Sequence, residues 1–578
     1  MKKLNCLLSM SAALLLASAI SKAEKKNVER PNIIWITCED ISPFMTSYDA
    51  DVVKTPNISQ LAREGVQFQS MYTTAGVSAP SRSCIITGMY PTSIGTQHMR
   101  TRAISPKMQE MTGVPPYDAV LPEEVRCFPE FLRKAGYYAT NCMKEDYQFN
   151  APVTAWDESS AAASYRNAPK GKPVFSVFNL FVTHESQLMQ QSYLFDKHPE
   201  LLVSADQIRK LPSYYKNTQK ARECMARMLS NVQMMDYQVG EIIKQLKADG
   251  IYDNSYIFFF SDHGGTMPWM KREILERGTH IPFIVKFPKG KNAGTKDTDL
   301  HSSVDLAPTV LSVAGVKIPA YMQGKAFLGA QAVKEPRKYV FAGRDRMDEC
   351  RDRVRSVRDA RYRYVYNYFP NQPKYQNISY RLGIPMMKEM LELHEKGELN
   401  AVQDDWFQPT KPVEELYDVL EDPDETKNLA ADPTYQDKLV ELRKAFRTWT
   451  NDVGDLSFIP EYDMVYNWWH GEQKQPQTAT PIATKAGNGY KLSCPTKGAS
   501  IGYKVLKKGV EDKEIVRNSC DHDMLLVMGK KTNGTAVRVH TPYLIYTPGT
   551  IIPVKSDEYL VVNATRIGYT PNEITINN

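Results

Sequence analysis

The chain has 578 residues, 42% of them hydrophobic, with 32 tyrosines; this exceeds one ordinary domain and supplies a large core. Its formal charge is +6, and removal of Lys2, Lys3 and Lys22 leaves +3, too small an excess on this length for nucleic acid as the main partner. The nine cysteines show no C-x-x-C pair and no zinc spacing, so they read as buried apolar residues, with Cys494 and Cys520 left as a pair that could bridge.

Lys2 and Lys3 precede the apolar run "LLSMSAALLLASAI", and Ser21 and Ala23 follow at a cleavage spacing. Residues 1–23 read as a signal peptide, too short to span a membrane. Cys6 lies before the apolar run, against a lipoprotein anchor, and no later segment reaches spanning length. The expectation is an exported protein, periplasmic or secreted, without integral membrane contact.

"NIIWIT" has the composition of a buried strand. "TPNISQLAREG" opens a helix at Thr55-Pro56 and stops it at Gly65. In "GVSAPSRSCIITG", Pro80 suits the first turn of a helix and Gly88 its end. Ser78 then falls at the helix N-terminus, where free N–H groups and the dipole favour an anion; it also reads as a plain N-cap. "GYYATNCM", "PVFSVFNLFV" and "SYIFFFS" are further strands, separated by helical segments such as "ARECMARMLSNVQMMDYQVGEIIKQLKADG". This alternation predicts an α/β domain over residues 24–340, a mostly parallel sheet flanked by helices. From 341 to 475, "RVRSVRDARYRYVYNYF" and "EELYDVL" suggest a smaller subdomain with an antiparallel sheet, and "QDKLVELRKAFRTW" a helix on it. "GEQKQPQTATPIA" reads as a linker. Residues 476–578 are β-rich with regular turn signals and predict a terminal all-β sandwich.

Each strand of the first domain is followed by charged or imidazole groups: Glu39 and Asp40, Lys144 and Asp146, His184, then Asp262 and His263. Singly, each also reads as a helix cap or a structural histidine. In a parallel sheet all four sets gather at one edge. Glu39, Asp40 and Asp262 are hard oxygen ligands suited to Ca²⁺ or Mg²⁺. Lys144, Lys271 and His184 are donors suited to a tetrahedral oxyanion, so the substrate brings negative charge.

The spacing Ser78-x-Pro80-Ser81-Arg82, closed by Thr87-Gly88, resembles the signature of type I sulfatases, members of the alkaline phosphatase superfamily. In that family the first position is oxidised to Cα-formylglycine. The resemblance covers most of the chain before the linker. It implies Glu39, Asp40, Asp262 and His263, with converted Ser78, as metal ligands; Glu39 stands where Asp is usual. Lys144 matches the lysine of a Gly-Lys-x-His segment whose histidine is here Asp146. His184 in "FVTHES" and Lys271 in "KREILERGTHIP" match the pocket histidine and the sulfate-binding lysine.

The mechanism implied is attack on sulfur by a geminal diol at position 78, held by the metal and Arg82. Lys144 and Lys271 absorb charge on the sulfuryl oxygens, and protonated His184 acts as acid on the leaving oxygen. The implied cofactor is Ca²⁺, with Mg²⁺ the alternative, and the implied partners are a sulfated carbohydrate and a serine-type maturating enzyme.

"CEDISPFM" and "TGMYPTSIGTQHMR" look most like the branch containing heparan N-sulfatase and bacterial glycan sulfatases. The substrates expected are sulfated sugars of mucin O-glycans or glycosaminoglycans, with exo-action on a terminal sulfated hexose such as galactose; heparan N-sulfoglucosamine is the alternative. Candidate sugar contacts are His98, Arg100, Asp345, Arg346, Glu349 and Arg353, whose charged groups suit bidentate bonds to hydroxyls; a solvated charge cluster is the competing reading. Trp468, Trp469 and His470 offer stacking faces for a sugar ring, with core packing the favoured reading for at least one of them. The terminal stretch resembles the small chitobiase C-terminal β-sandwich. The rivals are a phosphodiesterase or phosphonate hydrolase of the same superfamily, and a non-catalytic glycan-binding protein with unconverted Ser78.

Overall fold

The computed structural model describes residues 30–577 except 510–514, 519–535 and 540; the expected signal peptide and Cys520 lie outside the described residues. Strands β1 (Asn32–Cys38), β2 (Val66–Tyr72), β3 (Tyr138–Cys142), β4 (Glu158–Ser159), β5 (Val174–Leu180), β6 (Ser255–Ser261), β7 (His280–Lys286), β8 (Thr295–Asp297) and β9 (His301–Ser302) form one sheet. Its order is β4-β3-β5-β1-β6-β7-β2-β8, with β9 beside β2.

Strand β1 lies at the centre, parallel to β5 and β6, and β3 is parallel to β5. Its side chains alternate between two cores. Ile34 and Ile36 join Met228, Val232, Met235, Val239 and Ile242 of the helix Gln219–Ala248 on one face. Ile33 and Trp35 join Ile85, Ile86, Phe128 and Val310 on the other. Burial on both faces explains the near-continuous apolar run. Because β1, β3, β5 and β6 point the same way, the residues that follow them meet at one edge.

Strands β10 (Val340–Arg344), β11 (Val354–Arg358), β12 (Tyr362–Asn367) and β13 (Glu414–Asp418) make an antiparallel sheet. Leu439, Leu442, Phe446 and Trp449, one stripe of the helix Gln436–Val453, pack on Val357, Tyr364 and Leu416. The terminal strands, from Ile482 to Asn577, form separate antiparallel sheets. Tyr490, Leu492 and Ile552 from one share a core with Leu560 and Val562 from another.

The stretch read as a linker is pinned rather than loose: Thr478 N–H donates to Thr570 O and Thr570 N–H to Pro476 O, both at 2.9 Å. The terminal unit is docked on the first domain. Ser500 Oγ donates to Glu130 Oε2 at 2.8 Å, and the Arg566 guanidinium donates to the carbonyls of Leu121 and Pro122. Gly568 has φ +88, and a Cβ there would sit 2.5 Å from Val120 Cα. Gly568→Ala is therefore expected to cost about 1–3 kcal/mol through overpacking and backbone strain, read as a lower denaturant midpoint. An unchanged midpoint would show that the docking is not tight.

Candidate active site

Every residue of the helix Ser78–Thr87 is buried, and Gly88 closes it with φ +70. Val77, not Ser78, is the N-cap, so Ser78 is the first helical residue and its hydroxyl is not used as a cap. Ser78 Oγ lies 3.2 Å from His263 Nε2. His263 Nδ1 is 2.8 Å from the Gly264 carbonyl, which can only accept, so Nδ1 carries a proton.

In the neutral ring the Nε2 lone pair then faces Asp40 Oδ1 at 3.0 Å. Asp40 Oδ1 is buried and accepts no hydrogen bond. Electron-rich atoms of Asp40, Asp262 and His263 converge within 4.8 Å of one another. The bare contact of Asp40 Oδ1 with the Nε2 lone pair sets two acceptors face to face, which a cation between them would relieve. Two carboxylates and an imidazole fit a divalent metal.

Glu39 stands beside this trio with its carboxylate occupied: Arg82 Nη2 and Lys144 Nζ donate to its two oxygens, each at 2.6 Å. A second acidic set, Glu39, Asp40 and His184, shares Asp40 with the first. Arg82 also donates from Nε to Asp262 Oδ2 at 3.0 Å and from Nη1 to Asn179 Oδ1 at 2.9 Å. Lys271 Nζ donates to Asp40 Oδ2, as does the backbone N–H of Glu185 at 2.8 Å. Against burial, Lys271 holds the Asp40 carboxyl well below its ordinary range. Against burial too, Arg82 holds the Asp262 carboxyl below its ordinary range. Burial, with Asp262, pushes Glu39 up.

His184 stacks on Phe181 at 4.6 Å, and Ser186 N–H donates to its Nδ1 at 3.3 Å. The neutral ring therefore carries its proton on Nε2. Burial and the nearby Lys271 push the imidazole well below its usual pKa. Lys271 and Lys144 both crowd the ring, which disfavours its protonated form before any anion arrives. Asp146, at the family's histidine position, lies 3.9 Å from Lys144 Nζ and is largely exposed.

The candidate sugar contacts separate. Asp345 and Arg346 are both held in buried ion pairs. Asp345 is buried against Arg355 at 2.9 Å, and Arg346 is buried against Glu461 at 2.6 Å. His98 is buried 3.8 Å from the same Glu461, and burial lowers it to about 4. Glu349 Oε1 accepts from Ser379 N–H at 2.7 Å. Arg353 lies over Tyr368 and Phe458 and donates to Ser457 O. Arg100 remains about one-third exposed.

Trp468 and Trp469 pack with Tyr117 and Val465, and His470 Nε2 lies 3.0 Å from Tyr569 OH. Sequence reasoning missed Asn179, Glu185 and Arg272. Asn179 is a polar interruption in the apolar β5, and the other two are neighbours of His184 and Lys271. Arg272 binds Glu185 through both Nη atoms at 2.8 and 3.0 Å.

The family model "Sulfatase" matches residues 31–316, and "N-sulphoglucosamine sulphohydrolase, C-terminal" matches 264–405. An "Ulvan-active sulfatase" of Formosa agariphila is 43% identical over 515 residues, covering 84% of this chain and 86% of that one. Among solved structures, "a 2-O GAG sulfatase" superposes with TM-score 0.52 at 18% identity, over 74% of this chain and 93% of that one. The phosphonate monoester hydrolase of Agrobacterium radiobacter does so with TM-score 0.50 at 16% identity, over 73% and 96%. The fold is thus common to enzymes of two chemistries, whereas the sequence match over five-sixths of the chain is to a sulfatase. With that match and a metal-type cluster at the helix bearing Ser78, the chain belongs to the sulfatase family and is a sulfuric ester hydrolase.

Proposed function

We propose that the chain hydrolyses sulfate esters on sugars of sulfated glycans, through an aldehyde made from Ser78 by a serine-type maturating enzyme. One observation carries the reading: Ser78 Oγ points at His263 Nε2 from a helix N-terminus, beside the Asp40–Asp262–His263 set. A divalent cation held there, Ca²⁺ by preference and Mg²⁺ as alternative, would supply Lewis acidity; one hydroxyl of the hydrated aldehyde attacks sulfur as the S–O bond to the sugar breaks, and the second hydroxyl then expels sulfate and restores the aldehyde. Arg82 fixes Glu39 and Asp262 in place. Lys144 and Lys271, now paired with Glu39 and Asp40, turn their remaining N–H donors to the sulfuryl oxygens. His184 presents Nε2–H to the leaving oxygen and takes up a proton as the sulfate's charge offsets the lysines.

The glycan assignment draws support from the names of the relatives, an ulvan-active sulfatase and a 2-O GAG sulfatase. The test is desulfation of ulvan oligosaccharides and sulfated glycosaminoglycan disaccharides by protein produced with a serine-type maturase. Activity confined to aryl phosphates or phosphonates would replace the reading with its superfamily rival; sugar binding without turnover by native-host protein would favour the non-catalytic one. The match of residues 264–405 to an N-sulphoglucosamine sulphohydrolase segment favours a second reading, cleavage of an N-sulfate. Paired N-sulfated and 6-O-sulfated glucosamine assays separate the two.

His184→Ala is expected to cost about 100-fold or more on a sulfated sugar and under tenfold on 4-nitrophenyl sulfate, whose leaving oxygen needs no proton. Equal losses on both would remove His184 from the acid role.

A further inference from the structure

Two loops beyond the sheet edge meet at residues the catalytic reading does not use. Arg100, Asp348 and Arg272 all hold left-handed backbone, with φ of 58, 49 and 75; in non-glycine residues this conformation persists only where the surroundings enforce it. At Arg100 and Asp348 it is Arg346 that enforces it: its Nη1 donates to Met99 O at 2.8 Å and to Asp348 O at 2.6 Å, while Glu461 anchors its other edge. Met99 N–H donates back to Arg346 O at 2.8 Å.

The result is a fixed pair. Arg100 Nε donates to Asp348 Oδ1, and its guanidinium lies 5.0 Å from the ring centre of Tyr380. Both Arg100 Nη groups hydrogen-bond to no described residue, and the side chain is about one-third exposed. Asp348 Oδ2 is buried, accepts no hydrogen bond, and stands 3.9 Å from Arg272 Nη2. Arg272 follows Lys271, and Tyr380 senses the charges of Glu185, Lys271 and Asp40. The pair therefore borders the sulfate pocket.

We infer that Arg100, Asp348 and Tyr380 form a clamp for free hydroxyls on the sugar ring that carries the sulfate. This rests on the sulfatase reading above. The free donors of Arg100 and the free acceptor of Asp348 belong to one ion pair, which is the complement of a hydroxyl, at once acceptor and donor. A second sulfate or a carboxylate could satisfy Arg100 but would repel the Asp348 oxygen. Arg100 and Tyr380 touch the sugar; Asp348 also positions Arg100.

The test compares ulvan and glycosaminoglycan oligosaccharides with 4-nitrophenyl sulfate, which has no ring hydroxyls to read. Arg100→Ala and Asp348→Asn are each expected to lower kcat/KM on the best oligosaccharide about 100-fold, mostly through KM, and on the aryl sulfate less than tenfold. Oligosaccharides with their free hydroxyls O-methylated should be refused by the wild-type enzyme to a similar degree, a measurement independent of any variant's folding. Equal losses on sugar and aryl sulfate, or undiminished turnover of methylated sugar, would overturn the clamp. Wild-type protein inactive on both substrate classes would instead sink the proposed glycan-sulfatase function, and the clamp with it.

Discussion

Replacing Ser78 by alanine will abolish turnover and leave the fold intact. The substitution removes one oxygen, and no other residue offers a hydroxyl to His263 Nε2 within the described residues. Loss of a nucleophile that acts as part of a unit costs about 10⁴-fold or more in kcat. Stability should change by under about 1 kcal/mol, since Ser78 makes no cap hydrogen bond and alanine suits the first helical turn. Activity on aryl and sugar sulfates, beside a thermal melt, checks both halves. Substantial turnover by Ser78→Ala would refute the mechanism. In wild-type protein from the native host, mass spectrometry should find the peptide containing Ser78 lighter by two hydrogens.

Asp40→Ala is expected to be as damaging by another route. Asp40 supplies the buried oxygen facing His263 and the carboxylate that takes Lys271 Nζ and the Glu185 amide. Its removal should take bound metal below measurable stoichiometry and lower activity by about 10³-fold or more. It also leaves Lys271, 3% exposed, with Glu185 at 3.7 Å as its remaining carboxylate. Breaking a buried pair from one side costs about 3–5 kcal/mol, so the denaturant midpoint should fall too. Elemental analysis of purified protein reads the first effect, and unfolding the second. A variant that keeps its metal would move the site away from Asp40, whatever its activity. For the wild-type enzyme, a chelator should remove activity and added Ca²⁺ restore it.

How far the residues themselves disclosed this arrangement varies along the chain. The apolar runs of β1, β5 and β6 were legible because a strand buried on both faces has no polar side to hide. The helix at Ser78 was legible from Pro80 and Gly88, though its first cap is an ordinary valine. Glu39, Asp40, His184, Asp262 and His263 were legible from their places after strands. The sugar contacts were not. "RDRMDECRDR" reads as a run of interchangeable charges, yet Asp345 and Arg346 turn inward to Arg355 and Glu461 while Asp348 takes Arg100. Those partners lie up to 248 residues apart, beyond any local pattern. Trp468 and Trp469 stayed open between ligand and core for the same reason, an aromatic pair looking alike in either setting, and both pack with Tyr117 and Val465.

By itself the sequence determined the α/β alternation, the direction of the central strands and the set of groups at their ends, since periodicity and turn chemistry act over a few residues. Only the tertiary structure decided which charges neutralise one another and which stay free for a substrate. Pairing in a buried site is settled by distances across the fold, and a carboxylate's partner is whichever cation packing brings within reach.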